Sequence, residues 1–549
     1  MNLPDMTPDR VRLEERYAEL KMLRSSVSSY LEDARRFIRP NGTDFSLDRT
    51  FGGHKDNDSV NLYDDTAVWA NQMFANGLTS YLMPKADRWA FLKPAHKSSS
   101  ELTDEELVYL EAISDRIFHE FTLPSTRFYS TGHMTFLDVG SYGTAAIYVS
   151  KGEQGSVVNF RSCPLADTFF DLDHEGRPDT VYYRRFLSTK AMVQRFPDVV
   201  NQEGFDPKSQ TQTWELVYSV EPNRDVKSRT GGRIGGTRPF RVTFWCPRLK
   251  HVLEEGGLTY FPFLIPRWAV TSGQVYGLGP SNACIANIRV LNKLVKELLI
   301  SAEITNAPPM WAEDESILLP EYGPRKWVWG QPGSEPPQPI MSGSQPNITL
   351  EMIESYRAAI TRSYFVDQIM REQKKERQSV LEIQDERGQM LQQLGPLLSR
   401  QEEEFLSPAI EMTFQFLARA RQFPDPPESL TNAALDIVYT SPAAHAQYAG
   451  KLGDISAFLQ DIVPLAQVKP DVMDAINDTE LVDHYARYRS VPRKVINSKK
   501  AIAEIREQRA QAEEMQQTAQ MAPEMSGAVK DIAHARQMDP EGIGQLLNI

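Results

Sequence analysis

Apolar residues recur at helical spacing between Tyr276 and Trp311. Steps of three and four residues place them on one side of a helix. Pro280 stands before the pattern and Pro308 after it, and prolines bound a helix because they lack a backbone donor. We predict one long helix over residues 281–307, with a regular core of about 22 residues and a length of roughly 33 Å. Its packing stripe consists of Ile285, Ile288, Leu291, Val295 and Leu298.

A second amphipathic helix is predicted over residues 348–370, and a segment rich in Pro, Gly and Trp over residues 308–347 separates it from the first. A charged segment, 371–379, and a third helical run, 380–424, follow. Each of the first two helices has more apolar surface than one hairpin can bury. We therefore expect the remainder to pack against other copies of the chain. An ordinary buried core helix would show the same stripe.

Between residues 144 and 270 the period changes from helical to strand-like. Short runs rich in β-branched and aromatic residues, separated by turn residues, predict an antiparallel sheet or a small barrel. The preceding residues, 1–143, are predicted to be mainly helical, and Thr103 and Glu106 form a capping box. The predicted strands are Ala146–Val149, Val157–Arg161, Thr180–Phe186, Trp214–Val220, Phe240–Cys246 and Leu258–Ile265.

A basic, glycine-rich segment covers residues 224–238. Its arginines could pair with phosphate, and its glycines would let a ligand approach the backbone. Its composition favours a hairpin tip over a phosphate site. Its glycine spacing differs from a dinucleotide fingerprint, and no helix follows. Whether this segment contacts DNA stays open.

Motifs that carry chemistry are absent from the sequence. It has no phosphate-binding loop of the ATPase type, no zinc-protease motif, no serine-hydrolase elbow and no Cys-x-x-Cys pair. The acidic run Gln401–Glu404 could hold divalent cations as in a nuclease, but a solvated helix face is the favoured interpretation. We predict a protein that is not an enzyme, without catalytic, cofactor-binding or metal-binding residues.

Composition limits the remaining classes. A chain of 549 residues exceeds one core, so several domains are expected. A net charge of −13 argues against a basic nucleic-acid binder, but it suits a channel that must not hold DNA tightly. The three cysteines are too few for a disulfide framework and suggest assembly in a reducing cytoplasm. The N-terminus shows no signal pattern, and no apolar run is long enough to predict a membrane span.

The order of these features resembles the portal, or head-to-tail connector, of short-tailed bacteriophages (podoviruses). The turn Tyr276–Pro280 matches the family's YGxGP pattern, and residues 394–410 match LGPxLxRxxxEFLxPxI. Each match is weak by itself, but their order and spacing extend over most of the chain. Further matches are Asp65-Thr66-Ala67, Asn76-Gly77-Leu78, Pro84, Trp89, Ser141–Ala145, Phe261–Phe263 and Arg267-Trp268.

The resemblance implies an α+β, mainly helical portal-type fold with named parts. These are a wing at 1–280 (helical 1–143, β-rich 144–270), a first stem helix at 281–307, a clip at 308–347, a second stem helix at 348–370, a tunnel loop at 371–379, a long wing helix at 380–424, a crown at 425–497 and a C-terminal helical barrel or tail at 498–549.

The resemblance also implies roles for two residue groups. The first is the tunnel loop, which would face DNA in the channel, although a solvated helix end would have the same composition. The second is an aromatic group in the clip, which would contact the neighbouring subunit or the tail adaptor, although it could equally form a small local core. The tunnel-loop group is Arg371, Lys374, Lys375 and Arg377, and the clip group is Trp311, Tyr322, Trp327 and Trp329.

The function expected from the resemblance is a ring of identical subunits, usually twelve, at one capsid vertex. Such a ring admits double-stranded DNA without sequence preference during packaging and ejection. Its expected partners are the terminase motor, tail adaptor or nozzle proteins, capsid proteins and scaffolding proteins, and its place is the virion after assembly in the host cytoplasm. The alternatives are an elongated intracellular scaffold or adaptor without a DNA channel, and a nucleic-acid-processing enzyme with an acidic site.

Overall fold

The computed structural model describes residues 8–46, 61–95, 102–152, 155–209, 212–223, 238–306, 310–311, 338–339, 346–369, 395–430 and 434–440, with short pieces at 455, 458–462, 464, 476–477, 481–482, 497, 501–502 and 504–512. The chain divides into two compact units, Met1–Leu92 with Glu111–Asp425 and Asp436–Asp454, and Lys93–Leu110 with Pro426–Leu435 and Ile455–Ile549. Among the described residues, every helix is too short or too polar to cross a membrane.

Helices and sheets both contribute, so the predicted α+β, mainly helical class is confirmed. Short 3-10 turns lie at Pro124–Thr126, Leu165–Asp167, Pro197–Asn201 and Glu428–Leu430. The helices are α1 (Pro8–Ile38), α2 (Thr66–Leu82), α3 (Asp104–Thr122), α4 (Phe128–Tyr142), α5 (Thr189–Arg195), α6 (Pro280–Asn306), α7 (Pro346–Ser363), α8 (Val366–Ile369) and α9 (Ser407–Arg419).

Twelve strands are described, and they form four sheets. The largest is an antiparallel meander in the order β4-β5-β6-β7-β8, and a second sheet has the order β3-β2-β9. Two-stranded sheets pair β1 with β12 and β10 with β11. The strands are β1 (Ala90–Pro94), β2 (Ala146–Lys151), β3 (Val158–Cys163), β4 (Thr168–Leu172), β5 (Pro178–Ser188), β6 (Thr213–Pro222), β7 (Phe240–Cys246), β8 (His251–Leu258), β9 (Phe263–Leu264), β10 (Met310–Trp311), β11 (Gln338–Pro339) and β12 (Leu435–Tyr439).

The antiparallel sheet expected between residues 144 and 270 is present, with corrections. The predicted strand Leu258–Ile265 is wrong, because β8 ends at Leu258 and β9 begins at Phe263 in a different sheet. Strand β4 was not predicted. Strand β1 lies in the region predicted to be mainly helical, and β12 lies in the segment assigned to the crown. Strands β1 and β12 pair with each other although they are far apart along the chain, and a local sequence pattern does not reveal such pairing.

Helix α1 covers the five-stranded sheet. Tyr17 stacks on Tyr182 with ring centroids 5.9 Å apart and meets Trp245 edge-on at 5.8 Å. The apolar stripe of α1 thus packs on alternate residues of neighbouring strands, as the periods of helix and strand require. The cluster consists of Leu13, Tyr17, Leu20, Phe169, Tyr182, Val217 and Trp245.

The capping box at the start of α3 is confirmed. The backbone N–H of Thr103 donates to Glu106 Oε2 at 2.9 Å, and the N–H of Glu106 donates to Thr103 Oγ1 at 3.4 Å. Ser429 Oγ also donates to the Glu106 carboxylate, at 2.6 Å. The reciprocal bonds satisfy two of the free donors at the helix start.

The second predicted long helix, 348–370, is interrupted. Helix α7 ends at Ser363, and Phe365 adopts a left-handed conformation with φ 58° before α8 begins. Tyr364 is fully buried, and its ring lies 6.1 Å from the ring of Phe74, while the ring of Phe365 lies 6.4 Å from that of Trp268. The left-handed turn at Phe365 allows both adjacent aromatic side chains to contact this core, and the predicted single helix was wrong.

The long helix predicted over residues 380–424 is helical from residue 395 to Arg419, and residues 370–394 lie outside the described part. A π-helical turn, Glu402–Leu406, interrupts it, and the N–H of Ser407 donates to the carbonyl of Glu402. Pro408 lacks an N–H and would clash with the preceding turn of a regular α-helix. The widened turn accommodates this proline.

Candidate functional site: the helical hairpin and its root

Helices α6 and α7 form a hairpin, whose base we call the root. At the root the chain segments touch backbone to backbone. Gly143 has φ 76°, and the N–H of Gly277 donates to Thr144 Oγ1 at 2.8 Å. A Cβ added at Gly277 would lie 2.5 Å from the carbonyl oxygen of Gly143, which no side chain can tolerate. Glycine is required there because only a bare backbone fits.

The first turn of α6 is fastened to two other helices. Ser281 Oγ donates to the carbonyl of Ser141 on α4 at 2.6 Å, and it lies 2.5 Å from the hydroxyl of Tyr30 on α1. Asp33 of α1 forms an ion pair with Arg289, further along α6. The start of the hairpin is therefore fixed in the surrounding helices.

Residues 61–64, which we call the strap, connect both helices of the hairpin. The N–H of Tyr63 donates to Asn292 Oδ1 at 2.7 Å, and Asn292 Nδ2 donates to the carbonyl of Asn61 at 3.2 Å. The buried carboxylate of Asp64 accepts from Arg357 on α7 at 2.8 and 3.1 Å. One short segment thus holds α6 and α7 together, and it leads directly into α2.

The predicted packing stripe divides between buried and half-buried positions. Ile288 and Leu291 are buried inside the subunit, and Ile285, Val295 and Leu298 are half-buried. Beyond Leu291, no side chain of α6 that the structure describes is buried. The outer half of the hairpin therefore projects beyond the core of its own subunit.

Large apolar side chains remain exposed along the hairpin. On the side of α6 opposite its buried residues, Val290 is 40% exposed and Ile300 is 43% exposed. Near the tip, Leu299 of α6 and the α7 residues Leu350 and Met352 are exposed as well. Exposed apolar side chains that cluster on one projection typically mark a surface for association.

The acidic run Gln401–Glu404 overlaps the start of the π-helical turn and binds Arg267, in the segment that leads from β9 to the root. Glu404 accepts from Arg267 at its N–H (2.8 Å), Nε (3.2 Å) and Nη2 (2.7 Å), and Gln401 Nε2 donates to the Arg267 carbonyl at 2.7 Å. Arg267 Nη2 also donates to the carbonyl of Gly176 at 3.0 Å. Gln401 is buried, so the expectation of a solvated helix face was wrong.

The described residues offer no metal site. No three His, Cys, Asp or Glu side chains among them are arranged to hold a metal ion. The three cysteines are buried and free, and burial raises the pKa of Cys163 to about 11 and that of Cys284 to about 12. These thiols stay protonated at neutral pH, and the buried cysteine side chains contribute to packing.

The carboxyl of Glu402, in the π-helical turn, has a raised pKa. Burial, assisted by the neighbouring charge of Glu403, raises the pKa of Glu402 from 4.5 to about 7. Its backbone carbonyl accepts from the hydroxyl of Tyr439 at 3.3 Å, and that hydroxyl lies 2.6 Å from Ser407 Oγ. Strand β12 therefore braces the widened turn.

Glu402→Gln should stabilise the protein at pH 8 and have little effect near pH 5. The folded carboxyl retains its proton to higher pH than the unfolded one, so its contribution to stability falls as pH rises from about 4.5 to about 7. Glutamine avoids that loss, by about 2 kcal/mol after solvent screening is considered. Thermal midpoints of parent and variant across this pH range test the expectation. Glu203→Gln, at an exposed carboxyl outside this turn, serves as control. A difference between the parent and Glu402→Gln that does not change with pH would contradict the expectation.

Most residues predicted to contact DNA or partners lie outside the described residues. This holds for Arg371, Lys374, Lys375 and Arg377 of the predicted tunnel loop, and for Tyr322, Trp327 and Trp329 of the predicted clip. For Trp311 the backbone is described, and it pairs with Gln338 in the sheet of β10 and β11. This pairing joins the two ends of the segment between the helices. The basic segment also lies outside the described part from residue 224 to 237.

The structure pairs residues that sequence reasoning did not connect with each other. Arg267, Glu404, Asp64 and Arg357 connect segments that are far apart along the chain. Arg267 and Glu404 are separated by 137 positions, and Asp64 and Arg357 by 293. The only signal in the sequence was that Arg267 and Glu404 fall within motifs matched to the family.

A family model described as "Bacteriophage head to tail connecting protein" matches residues 10–496. The portal protein of Salmonella phage epsilon15 is 26% identical and covers 98% of this chain and 98% of its own length. The probable portal protein of Bordetella phage BPP-1 is 25% identical over 94% of this chain and 93% of its own length. Among solved structures, a chain of a native gene transfer agent virion has a TM-score of 0.36 at 11% identity and covers 78% of this chain and 94% of its own. A chain from the neck of an empty gene transfer agent particle has a TM-score of 0.34 at 12% identity, over 72% and 89%.

Proposed function

We propose that this chain, which belongs to the bacteriophage head-to-tail connecting proteins, forms a closed ring that is the conduit for the phage genome. The family and its portal relatives give the chain the role of a capsid portal at the junction of head and tail in the virion. The proposal adds the ring, the channel and the way the subunits meet.

The observation that supports a ring is the exposed apolar surface of the projecting hairpin. A single subunit leaves Val290, Leu299 and Ile300 of α6 in water, although the hairpin is fixed at its root. Lateral packing of identical hairpins would bury these side chains. An interface in which two different faces meet closes into a ring when the rotation between subunits permits it. We propose twelve subunits.

The proposed partners follow from the position of a portal. They are the terminase motor during packaging, tail adaptor or nozzle proteins afterwards, and capsid and scaffolding proteins around the ring, with assembly in the host cytoplasm. Double-stranded DNA would pass without sequence preference. We assign no catalytic role, because the ring acts as a passage and an attachment point. Trp311, Tyr322, Trp327 and Trp329 are the proposed contacts of the clip.

Light scattering on the purified protein tests the ring. The mass should be a large, fixed multiple of the 62.3 kDa subunit and should not change on dilution. A monomer, or a mass that grows continuously with concentration, would speak for the elongated scaffold.

Replacing both Lys374 and Lys375 with Glu should leave ring assembly intact and lower the DNA content of particles. The prediction rests on four basic residues close together in a chain with net charge −13, namely Arg371, Lys374, Lys375 and Arg377. Repeated around a ring, they would attract phosphate weakly and without sequence preference. The measurement is the packaged DNA per particle beside ring yield. Replacing both lysines with Arg is the matched control, and normal packaging by the Glu variant would refute this role.

A further inference from the structure

We propose that neighbouring hairpins dock through oppositely charged faces, with the lysines on the outer face of α6 meeting the carboxylates on the outer face of α7 of the next copy. The proposed partner is a second copy of this chain, and the inference rests on the proposed ring. The residues are Lys293 and Lys296 on one side and Glu351 and Glu354 on the other.

The two faces lie on opposite sides of the hairpin. On α6 the buried residues Ile288 and Leu291 face inward, and Lys293 and Ile300 fall on the exposed side. On α7 the buried residues Ile353 and Ile360 face inward, and the exposed residues include Glu351, Glu354 and Ala358. Because α6 and α7 pack on each other, their outer faces point in opposite directions. A ring contact requires two such different surfaces on each subunit.

Each face carries charge that is held only loosely within its own subunit. Lys293 Nζ lies 3.6 Å from Glu297 one turn away, and both side chains are exposed. Glu354 is 2.9 Å from Arg357, again within one helix and exposed. Exposed pairs of this kind contribute little to stability, so they can rearrange when another charged surface approaches. Lys296 lies 5.5 Å from the ring of Tyr63 in the strap.

The opposing charges lie at matching heights along the hairpin. At the root, the hydroxyl of Ser363 on α7 forms a hydrogen bond with the thiol of Cys284 on α6. This hydrogen bond lowers the pKa of the Cys284 thiol, whereas burial raises it. From this tie, Lys293 is as many residues outward along α6 as Glu354 is along α7. The same holds for Lys296 and Glu351. The adjacent strap residues Tyr63 and Asp64, which bind Asn292 and Arg357, hold the two helices close to this register.

Rotation about a ring axis moves no part of a subunit along that axis. For hairpins that run along the ring axis, groups at equal height in one hairpin therefore meet at equal height in the next. Lys293 would face Glu354 of the next copy, and Lys296 would face Glu351. The exposed Val290 and Ile300 flank these pairs on α6, so the same contact would combine apolar burial with charge complementarity. Ring assembly should accordingly weaken as salt rises.

Paired cysteines test this docking in the full-length chain. Lys293→Cys combined with Glu354→Cys should, under mild oxidation, give a ladder of covalent oligomers on a non-reducing gel that ends at the full ring. A disulfide forms only when the two Cα atoms come within about 7 Å. The two positions point away from each other within one subunit, so a link must join different copies. Each single variant is a control for the native cysteines.

A matched control separates docking from random collision. Lys293→Cys with Ala358→Cys uses the same two faces but differs in height by one helical turn, about 6 Å, and should cross-link weakly. Lys296→Cys with Glu351→Cys is an independent second pair. If electron microscopy shows rings and neither matched pair gives a ladder, the docking faces are wrong and the ring stands. If the parent forms no ring, the proposed function itself fails.

Discussion

Aspartate at both Val290 and Ile300 should abolish ring formation and leave the subunit folded. Both side chains are exposed in the single subunit, at 40% and 43%, so a charge there does not disturb its core. In the ring each would become a carboxylate buried against an apolar neighbour, at a cost of roughly 3 kcal/mol or more for every contact. Because each subunit repeats the contact, closure should fail. Light scattering would report the mass, and circular dichroism the helix content.

Two control substitutions separate assembly from folding. Val200→Asp alters an apolar residue with similar exposure, 39%, that lies away from the hairpin, and rings should persist. Leu291→Asp alters a side chain that is 1% exposed, so the subunit itself should misfold. Rings at normal yield from the Val290 and Ile300 double variant would contradict the proposed interface.

Glu404→Leu should lower the thermal midpoint by several degrees. It leaves the buried guanidinium of Arg267 with carbonyl partners but no counter-charge, which costs about 3 to 5 kcal/mol when one member of a buried pair is removed. Adding Arg267→Met removes the stranded charge, so the double variant should be more stable than Glu404→Leu alone. The measurement is the thermal midpoint of the four proteins at one concentration, since assembly affects stability.

The control for this pair is Arg400→Met. Arg400 Nη1 lies 3.2 Å from the same Glu404 carboxylate but is itself half-exposed, so its loss should cost far less. If the losses of the two single variants simply add in the double variant, Arg267 and Glu404 do not act as a pair, and the coupling of the π-helical turn to the root is refuted.

The sequence predicted the features that periodicity records. The long helix α6, the antiparallel sheet and the capping box at Thr103 each depend on residues close together in the chain. The resemblance to portals added the order of the parts, and it also pointed to Gly277 and Gly279, whose need for a bare backbone appears only when Gly143 is seen against them.

Features that depend on distant partners escaped prediction. The acidic run near Glu404 has the composition of a solvated face, and only the approach of Arg267 across 137 positions shows that it is a buried anchor. The stripe that contains Leu291 showed that one side of α6 is apolar. It could not show which part packs inside the subunit and which part is left for a neighbour, because the outer stripe with Val290 and Ile300 includes charged residues.

The break in the helix at Phe365 was not predicted from the sequence for another reason. Residues 348–370 keep a helical period through the break, and the left-handed residue is a phenylalanine, a type that rarely adopts that conformation. Burial of Tyr364 and packing of Phe365 in the core stabilise the turn. Tertiary contacts there override the local preference, as they often do where two elements join.

End-on electron microscopy of the purified protein tests the central claim most directly. The account predicts a closed ring of hairpin-bearing subunits, with a central hole wide enough for a DNA duplex and a single rotational symmetry, which we expect to be twelvefold. Monomers, open filaments or solid particles without a hole would contradict it.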